Sequence, residues 1–89
     1  MFIVVEHVIT NSDKFFGLLP KVAEAPSVIK ALQFFPSNNK DRAVCLWEAK
    51  SVGAVKAFLE PLSGQCSRNT YYTVDGTIAL GLPTVAAAA

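Results

Sequence analysis

The opening stretch Phe2-Ile3-Val4-Val5-Glu6-His7-Val8-Ile9 constrains the fold more than any other segment. It is rich in Val and Ile and too short for an ordinary helix, so it reads as a strand. Side chains alternate between the two faces of a strand. Here both alternations are apolar, with Phe2, Val4 and Val8 on one parity and Ile3, Val5 and Ile9 on the other. A strand with one solvated face would alternate apolar and polar residues, so this one requires cover on both sides. Ala43 to Ala49 repeats the pattern, with Val44 and Leu46 on one parity and Ala43, Cys45 and Trp47 on the other.

Between and after these runs the periodicity changes. Thr10-Asn11-Ser12-Asp13 offers helix N-cap candidates, and Phe15, Leu18, Leu19 and Val22 follow at helical spacing. Pro20 removes one backbone hydrogen bond there and crowds the carbonyl four residues back, which predicts a kink or break near Phe16 to Pro20. Val28 to Phe35 reads as a second strand closed by Pro36, joined to Ala43–Ala49 through Ser37-Asn38-Asn39-Lys40-Asp41, a connection of hairpin length. Ser51 is an N-cap for a second helix with the stripe Val52, Val55, Phe58, Leu59 and Leu62, which Pro61 and Gly64 are expected to end. The polar residues 63–69, Cys66 among them, read as a loop into a fourth strand, Thr70 to Val74, followed by an Asp75-Gly76 turn. Ile78, Leu80 and Leu82 form a short extension beyond it, and residues 85–89 a loose C-terminal tail.

Two strand-helix-strand units with right-handed crossovers give an α+β, ferredoxin-like βαββαβ domain over residues 1–84: a four-stranded antiparallel sheet with two helices on one face. With 89 residues there is no room for a second core. The helix-free face is then too apolar to be left in water, because contiguous exposed apolar patches above a few hundred Å² are rare on monomers. A homodimer through that face is expected. The charge balance agrees: 8 Lys and Arg against 7 Asp and Glu, net +1, opposes self-association little. The same balance offers nothing to the phosphates of a nucleic acid or to an anionic membrane. The N-terminal apolar run is broken by Glu6 and His7 and has no basic flank, so it is neither a signal peptide nor a membrane span, and the chain reads as cytoplasmic. Cys45 and Cys66 form neither a metal spacing nor a disulfide framework and read as reduced thiols. No Gly-rich phosphate loop, nucleophile elbow or CxxC is present, and no cofactor is called for.

Three segments carry a resemblance: the opening strand with its embedded histidine (Val4-Val5-Glu6-His7-Val8-Ile9), the Asp13-Lys14-Phe15-Phe16 helix start, and Cys45-Leu46-Trp47-Glu48-Ala49-Lys50-Ser51 followed by Ala54-Val55 and Phe58-Leu59. In these the chain resembles the dimeric α+β barrel superfamily, and in particular small uncharacterised bacterial members, including some similar to nickel-binding ferredoxin-like proteins. The resemblance implies the fold and the dimer. Its implication for chemistry is broad, since the superfamily holds cofactor-independent monooxygenases, isomerases, haem enzymes and plain ligand binders.

Candidate site residues are few. His7 is the only histidine, and an imidazole inside an apolar strand is suited to acid–base work; its plain alternative is a structural or interface role. Glu6 lies on the opposite face and cannot pair with it within one strand. If the first and third strands are neighbours, register decides whether Cys45 and Trp47 or Glu48 meets His7. A pocket formed by His7, Trp47 and a tyrosine, Tyr72 being the candidate, would be mostly apolar with a few polar groups, as small-molecule sites are. The leading expectation is a homodimer that binds a small apolar ligand at His7, Cys45, Trp47, Glu48 and Tyr72. The alternatives are a cofactor-independent monooxygenase or isomerase with His7 as base, and a metal-binding protein drawing on His7 with Cys45 or a carboxylate.

Overall fold

Both parities of the opening strand are covered to different extents, and the difference sets the architecture. The computed structural model describes residues 1–83; the expected tail at residues 85–89 lies outside them. The order of elements is β1 (Phe2–Ile9), α1 (Ser12–Gly17), α2 (Leu19–Val22), β2 (Lys30–Pro36), β3 (Arg42–Glu48), α3 (Val52–Ser63) and β4 (Ser67–Thr73). The four strands form one antiparallel sheet in the order β2-β3-β1-β4, so β1 is central, with β3 and β4 at its sides. The described residues form an α+β domain with three helices.

Ile3, Val5, His7 and Ile9 form the buried parity of β1. Against it pack Val55 and Leu59 of α3 at one end of the sheet and Phe15 of α1 at the other, so the helices cover one face only. Trp47 of β3 is the largest fully buried side chain, 1% exposed, and packs its ring against Phe58. Burial of such side chains contributes about 1.5–3 kcal/mol each.

The helix starts follow from their caps. Asn11 Oδ1 accepts the Lys14 amide at 3.1 Å, and Ser51 Oγ accepts that of Ala54 at 3.1 Å. The break expected near Pro20 is present: α1 ends at Gly17, Leu18 stands between, and α2 begins with Pro20 in its first turn, where the missing N–H is not needed. Pro61, expected to help end the second long helix, lies inside its last turn instead, and α3 runs on to Ser63 before Gly64 caps it. A proline deletes one hydrogen bond without unwinding the turn that follows, and here the Gly64 amide bonds the Glu60 carbonyl at 2.9 Å.

Two strand boundaries differ from expectation. β2 begins at Lys30 rather than Val28, which is exposed, and carries a register shift between Ala31 and Gln33. β4 begins at Ser67 rather than Thr70, so Ser67, Arg68 and Asn69 pair with Ile9, Val8 and His7. Cys66, read as a loop residue, is buried against Ile9, Phe15 and Ala43, and its carbonyl accepts the amides of Thr10 and Asn11 at 2.8 and 3.1 Å.

Among the described residues the other face carries no helix. Directly opposed residues of neighbouring strands share a face, so Val4 stands between Leu46 and Tyr72, and Glu6 between Val44 and Thr70, with Phe35 beside Val44. Phe35 and Tyr72 are 59% and 47% exposed. A groove of about 460 Å³ runs between this face and residues 75–82, with Leu46 and Tyr72 on one side and Ile78 and Leu80 on the other. Among the described residues no helix is long and apolar enough to cross a membrane.

Candidate functional site

The helix-covered side of the sheet places one polar row inside an apolar setting. His7 is opposed by Ala43 on β3 and by Asn69 on β4. The small Ala43 side chain leaves the imidazole free to lean to its diagonal neighbour, Cys45, and Nε2 lies 3.0 Å from Cys45 Sγ. On the other side Nδ1 lies 2.6 Å from Asn69 Oδ1. Phe15 places its ring edge against the imidazole at 5.0 Å between centroids.

The row extends at both ends. Trp47 Nε1 donates to Cys45 Sγ at 3.1 Å. Asn69 Nδ2 donates to Glu60 Oε2 at 2.8 Å and to Ser63 Oγ at 3.1 Å, and Tyr71 donates its hydroxyl proton to the same Glu60 oxygen at 2.5 Å. Ser63 passes its own proton to the Leu59 carbonyl at 3.2 Å. Among the described residues no buried side-chain nitrogen or oxygen lacks a partner, as a polar network in a low-dielectric interior requires.

This connectivity sets the protons. Both amide protons of Asn69 are engaged, so its Oδ1 faces His7 and can only accept. His7 therefore carries its proton on Nδ1, and Nε2 presents a lone pair to the Cys45 S–H. The sulfur in turn accepts from Trp47. Burial holds the imidazole below the usual histidine range, opposed by the Asn69 hydrogen bond and the Glu60 charge. Burial pushes the Cys45 thiol up to about 11, opposed by the Trp47 hydrogen bond. At neutral pH the pair is thus an uncharged S–H···N. Hydrogen bonds from Tyr71 and Asn69 draw the Glu60 carboxyl below the usual carboxylate range, and it is ionised. Tyr71 is raised by burial and by that carboxylate, and stays protonated.

His7, Cys45 and Trp47 also form the floor of a cavity of about 230 Å³ between the sheet and the helices. Its walls are mostly apolar, with Phe15 from α1, Leu19 from α2, Phe34 from β2 and Leu59 from α3, and Gln33 and Ser63 add two uncharged polar side chains. A dry cavity of about 150 Å³ with such walls holds a molecule the size of benzene, so this one has room for a substituted or fused ring.

Of the residues singled out in the sequence, His7, Cys45 and Trp47 meet at this floor. Glu48 and Tyr72 do not: Glu48 pairs with Phe2 at the end of β3, and Tyr72 stands beside Val4 on the outer face. Tyr71, one residue earlier, has the parity that faces α3. Asn69, Glu60 and Ser63 complete the row and were not singled out. The spacing of Glu60 and Ser63 on α3 was a usable signal, since residues three apart share a helix face; Asn69 offered none while residues 63–69 read as a loop. Among the described residues no group of three or more His, Cys, Asp and Glu side chains is gathered as a metal would require.

No family model, curated protein or solved structure matches the chain.

Proposed function

We propose that the chain is a ferredoxin-like domain of the dimeric α+β barrel kind that pairs with a second copy through its outer sheet face and binds one small, largely apolar molecule in the cavity above His7. The observation that carries the ligand reading is the cavity itself. It is about 230 Å³ in volume, walled mostly by rings and aliphatic chains with Gln33 and Ser63 among them, and floored by one imidazole and one thiol beside Trp47. Apolar walls supply affinity through burial, and a few fixed polar groups supply orientation. A ligand with one hydrogen-bond donor would find its acceptor in His7 Nε2 by displacing the weak S–H donor of Cys45.

Support for the dimer comes from the outer face. Val4, Val44, Phe35 and Tyr72 form its apolar centre, while Glu6 and Glu48 on one hand and Arg42 and Arg68 on the other provide both signs of charge around it. A twofold interface is self-complementary, and a patch bearing both signs can satisfy itself across such an axis.

Indole tests the cavity, being apolar and of the right size with a single N–H donor. Titrated into ¹⁵N-labelled protein, it is expected to shift the amides of His7, Phe15, Cys45 and Trp47, and a cavity-filling Leu59→Trp variant is expected to abolish those shifts. Absence of any saturable shift at these residues, or shifts confined to the outer face, would overturn the ligand reading.

A further inference from the structure

The Cys45 sulfur is placed differently from a buried thiol that merely fills space. Such a thiol behaves as a small hydrophobe, whereas this one has an acceptor at 3.0 Å, a donor at 3.1 Å, and open volume above it. Cys66 supplies the contrast within the same chain. It is equally buried, but its Sγ approaches the Ser63 carbonyl at 3.4 Å, and no imidazole serves it.

We propose that Cys45 is a nucleophile, with His7 as its base and Asn69 as the residue positioning that base, and that the cavity accepts a neutral, apolar α,β-unsaturated carbonyl compound to which the thiol adds. This rests on reading the cavity as a ligand site. The S–H bond breaks and its proton moves to His7 Nε2. Sulfur bonds the β-carbon of the acceptor, and the alkene electron pair passes into the enolate. The imidazolium then returns the proton from Nε2 to the α-carbon, so nothing is oxidised or reduced and no group leaves. One imidazole suffices for both transfers.

The hydrogen-bond row has a partner for the proton on either side of the S···N pair. Once Nε2 holds the proton, it donates back to the sulfur, and Trp47 Nε1 continues to donate to it. The imidazolium keeps its Nδ1–H bond to Asn69 Oδ1, and Asn69 connects it to the Glu60 carboxylate. The titratable groups facing His7 are Cys45 from β3, Glu60 from α3 and Tyr71 from β4, while α1 contributes the Phe15 ring. Glu60 favours the transient cation. The ligand class follows from the surroundings. Sulfur is a soft nucleophile suited to conjugate addition, and the cavity walls contain neither Lys nor Arg to hold an anion.

N-Ethylmaleimide, a small neutral acceptor, provides the test, with labelling of each cysteine followed by peptide mass mapping from about pH 6 to about pH 9. Cys45 is expected to react at least about tenfold faster than Cys66, at a rate that is level above neutral pH because His7 is already unprotonated there. In His7→Gln the Cys45 rate should fall about tenfold and rise about tenfold per pH unit, as for a thiol that must ionise unaided. Asn69→Leu leaves His7 in place as the base, so the Cys45 rate should fall by less and stay level above neutral pH, with the acid limb of its profile moved to lower pH because His7 loses the hydrogen bond that raises its pKa, which a purely structural role would not produce. Should His7→Gln fail to fold, Glu60→Gln keeps an acceptor for Asn69 and Tyr71 while removing the charge, and is expected to slow Cys45 alone. Equal rates at Cys45 and Cys66, a Cys45 pH profile unchanged in His7→Gln, or a Cys45 rate unchanged in Glu60→Gln would overturn the assignment. Indole shifts at the cavity with an inert Cys45 would overturn the thiol chemistry alone; an inert Cys45 with no indole shifts would overturn the cavity reading as well.

Discussion

Asn69 Oδ1 lies 2.6 Å from His7 Nδ1 across the β1–β4 pair, and this one contact fixes which imidazole nitrogen is protonated. Asn69 can play this part because its two amide protons are held by Glu60 and Ser63. Replacing it with Leu, close in shape but unable to accept, leaves the buried Nδ1–H without a partner. Loss of about 2 kcal/mol is expected, within the range for an orphaned buried donor. The His7 pKa should fall further, because the contact that raises it is gone. Urea unfolding and an NMR titration of the imidazole measure the two effects, and an unchanged pKa would show the hydrogen bond to be absent in solution.

Acid should destabilise the fold in two steps. His7 is depressed in the folded state, so the unfolded chain binds its proton first, at about pH 6.5. Its contribution is complete above that value and is lost as pH falls through it towards the folded pKa. Glu60 is also depressed, so its contribution persists to lower pH and is lost as pH falls from the unfolded value of 4.5 through the folded one. Melting temperatures between neutral pH and about pH 5 should therefore decline in the parent chain. They should decline less in His7→Gln, whereas the step at lower pH should remain. Parallel curves for the two proteins across the upper window would count against a buried neutral His7.

Much of this was legible in the sequence, for identifiable reasons. The apolar runs Phe2–Ile9 and Ala43–Ala49 marked two strands of the sheet, of which the structure buries the Ile3, Val5, His7 and Ile9 parity of the first, and Pro20 marked the break between α1 and α2. His7, Cys45 and Trp47 emerged as a candidate group because a strand period of two puts Cys45 and Trp47 on one face, leaving only the register open. The start of β4 has no such signal. Ser67, Arg68 and Asn69 have little intrinsic strand preference, and pairing with Ile9, Val8 and His7 overrides it. A residue with loop propensity carries no strand parity, so the sequence does not link Asn69 to Glu60 and Ser63. Parity was equally decisive for the tyrosines: a strand beginning at Ser67 turns Tyr71 towards Glu60 and Tyr72 towards the outer face.

Gly64 holds the end of α3 close to Glu60. A Cβ at this position would lie 2.7 Å from the Glu60 carbonyl oxygen, closer than two such atoms can come, and the obstacle is backbone. Gly64→Ala must therefore displace the last turn, and with it the carboxylate that receives Asn69 and Tyr71. A loss of about 1–3 kcal/mol is expected, as for an overpacked site. Gly17→Ala is the control, since a Cβ there meets nothing within 4 Å. Denaturant midpoints that fall equally for the two variants would contradict the proposed crowding.

The outer face yields the prediction that bears most directly on assembly. Phe35 is 59% exposed at one side of the apolar centre and Tyr72 is 47% exposed at the other, beside Val4. If a second copy covers them, a lysine at either position buries a charge without a partner, and truncating complementarity at the middle of an interface typically weakens it by more than about 2 kcal/mol. In a monomer the same exposed substitution would change stability by no more than about 0.5 kcal/mol. Phe35→Lys combined with Tyr72→Lys is therefore expected to give a folded monomer, with the helix and sheet signals of the parent in circular dichroism and half its mass by sedimentation. A parent chain already monomeric at micromolar concentration would sink the dimer outright. A double variant that keeps the parent's mass would move the interface elsewhere, leaving the cavity above His7 to be judged by indole alone.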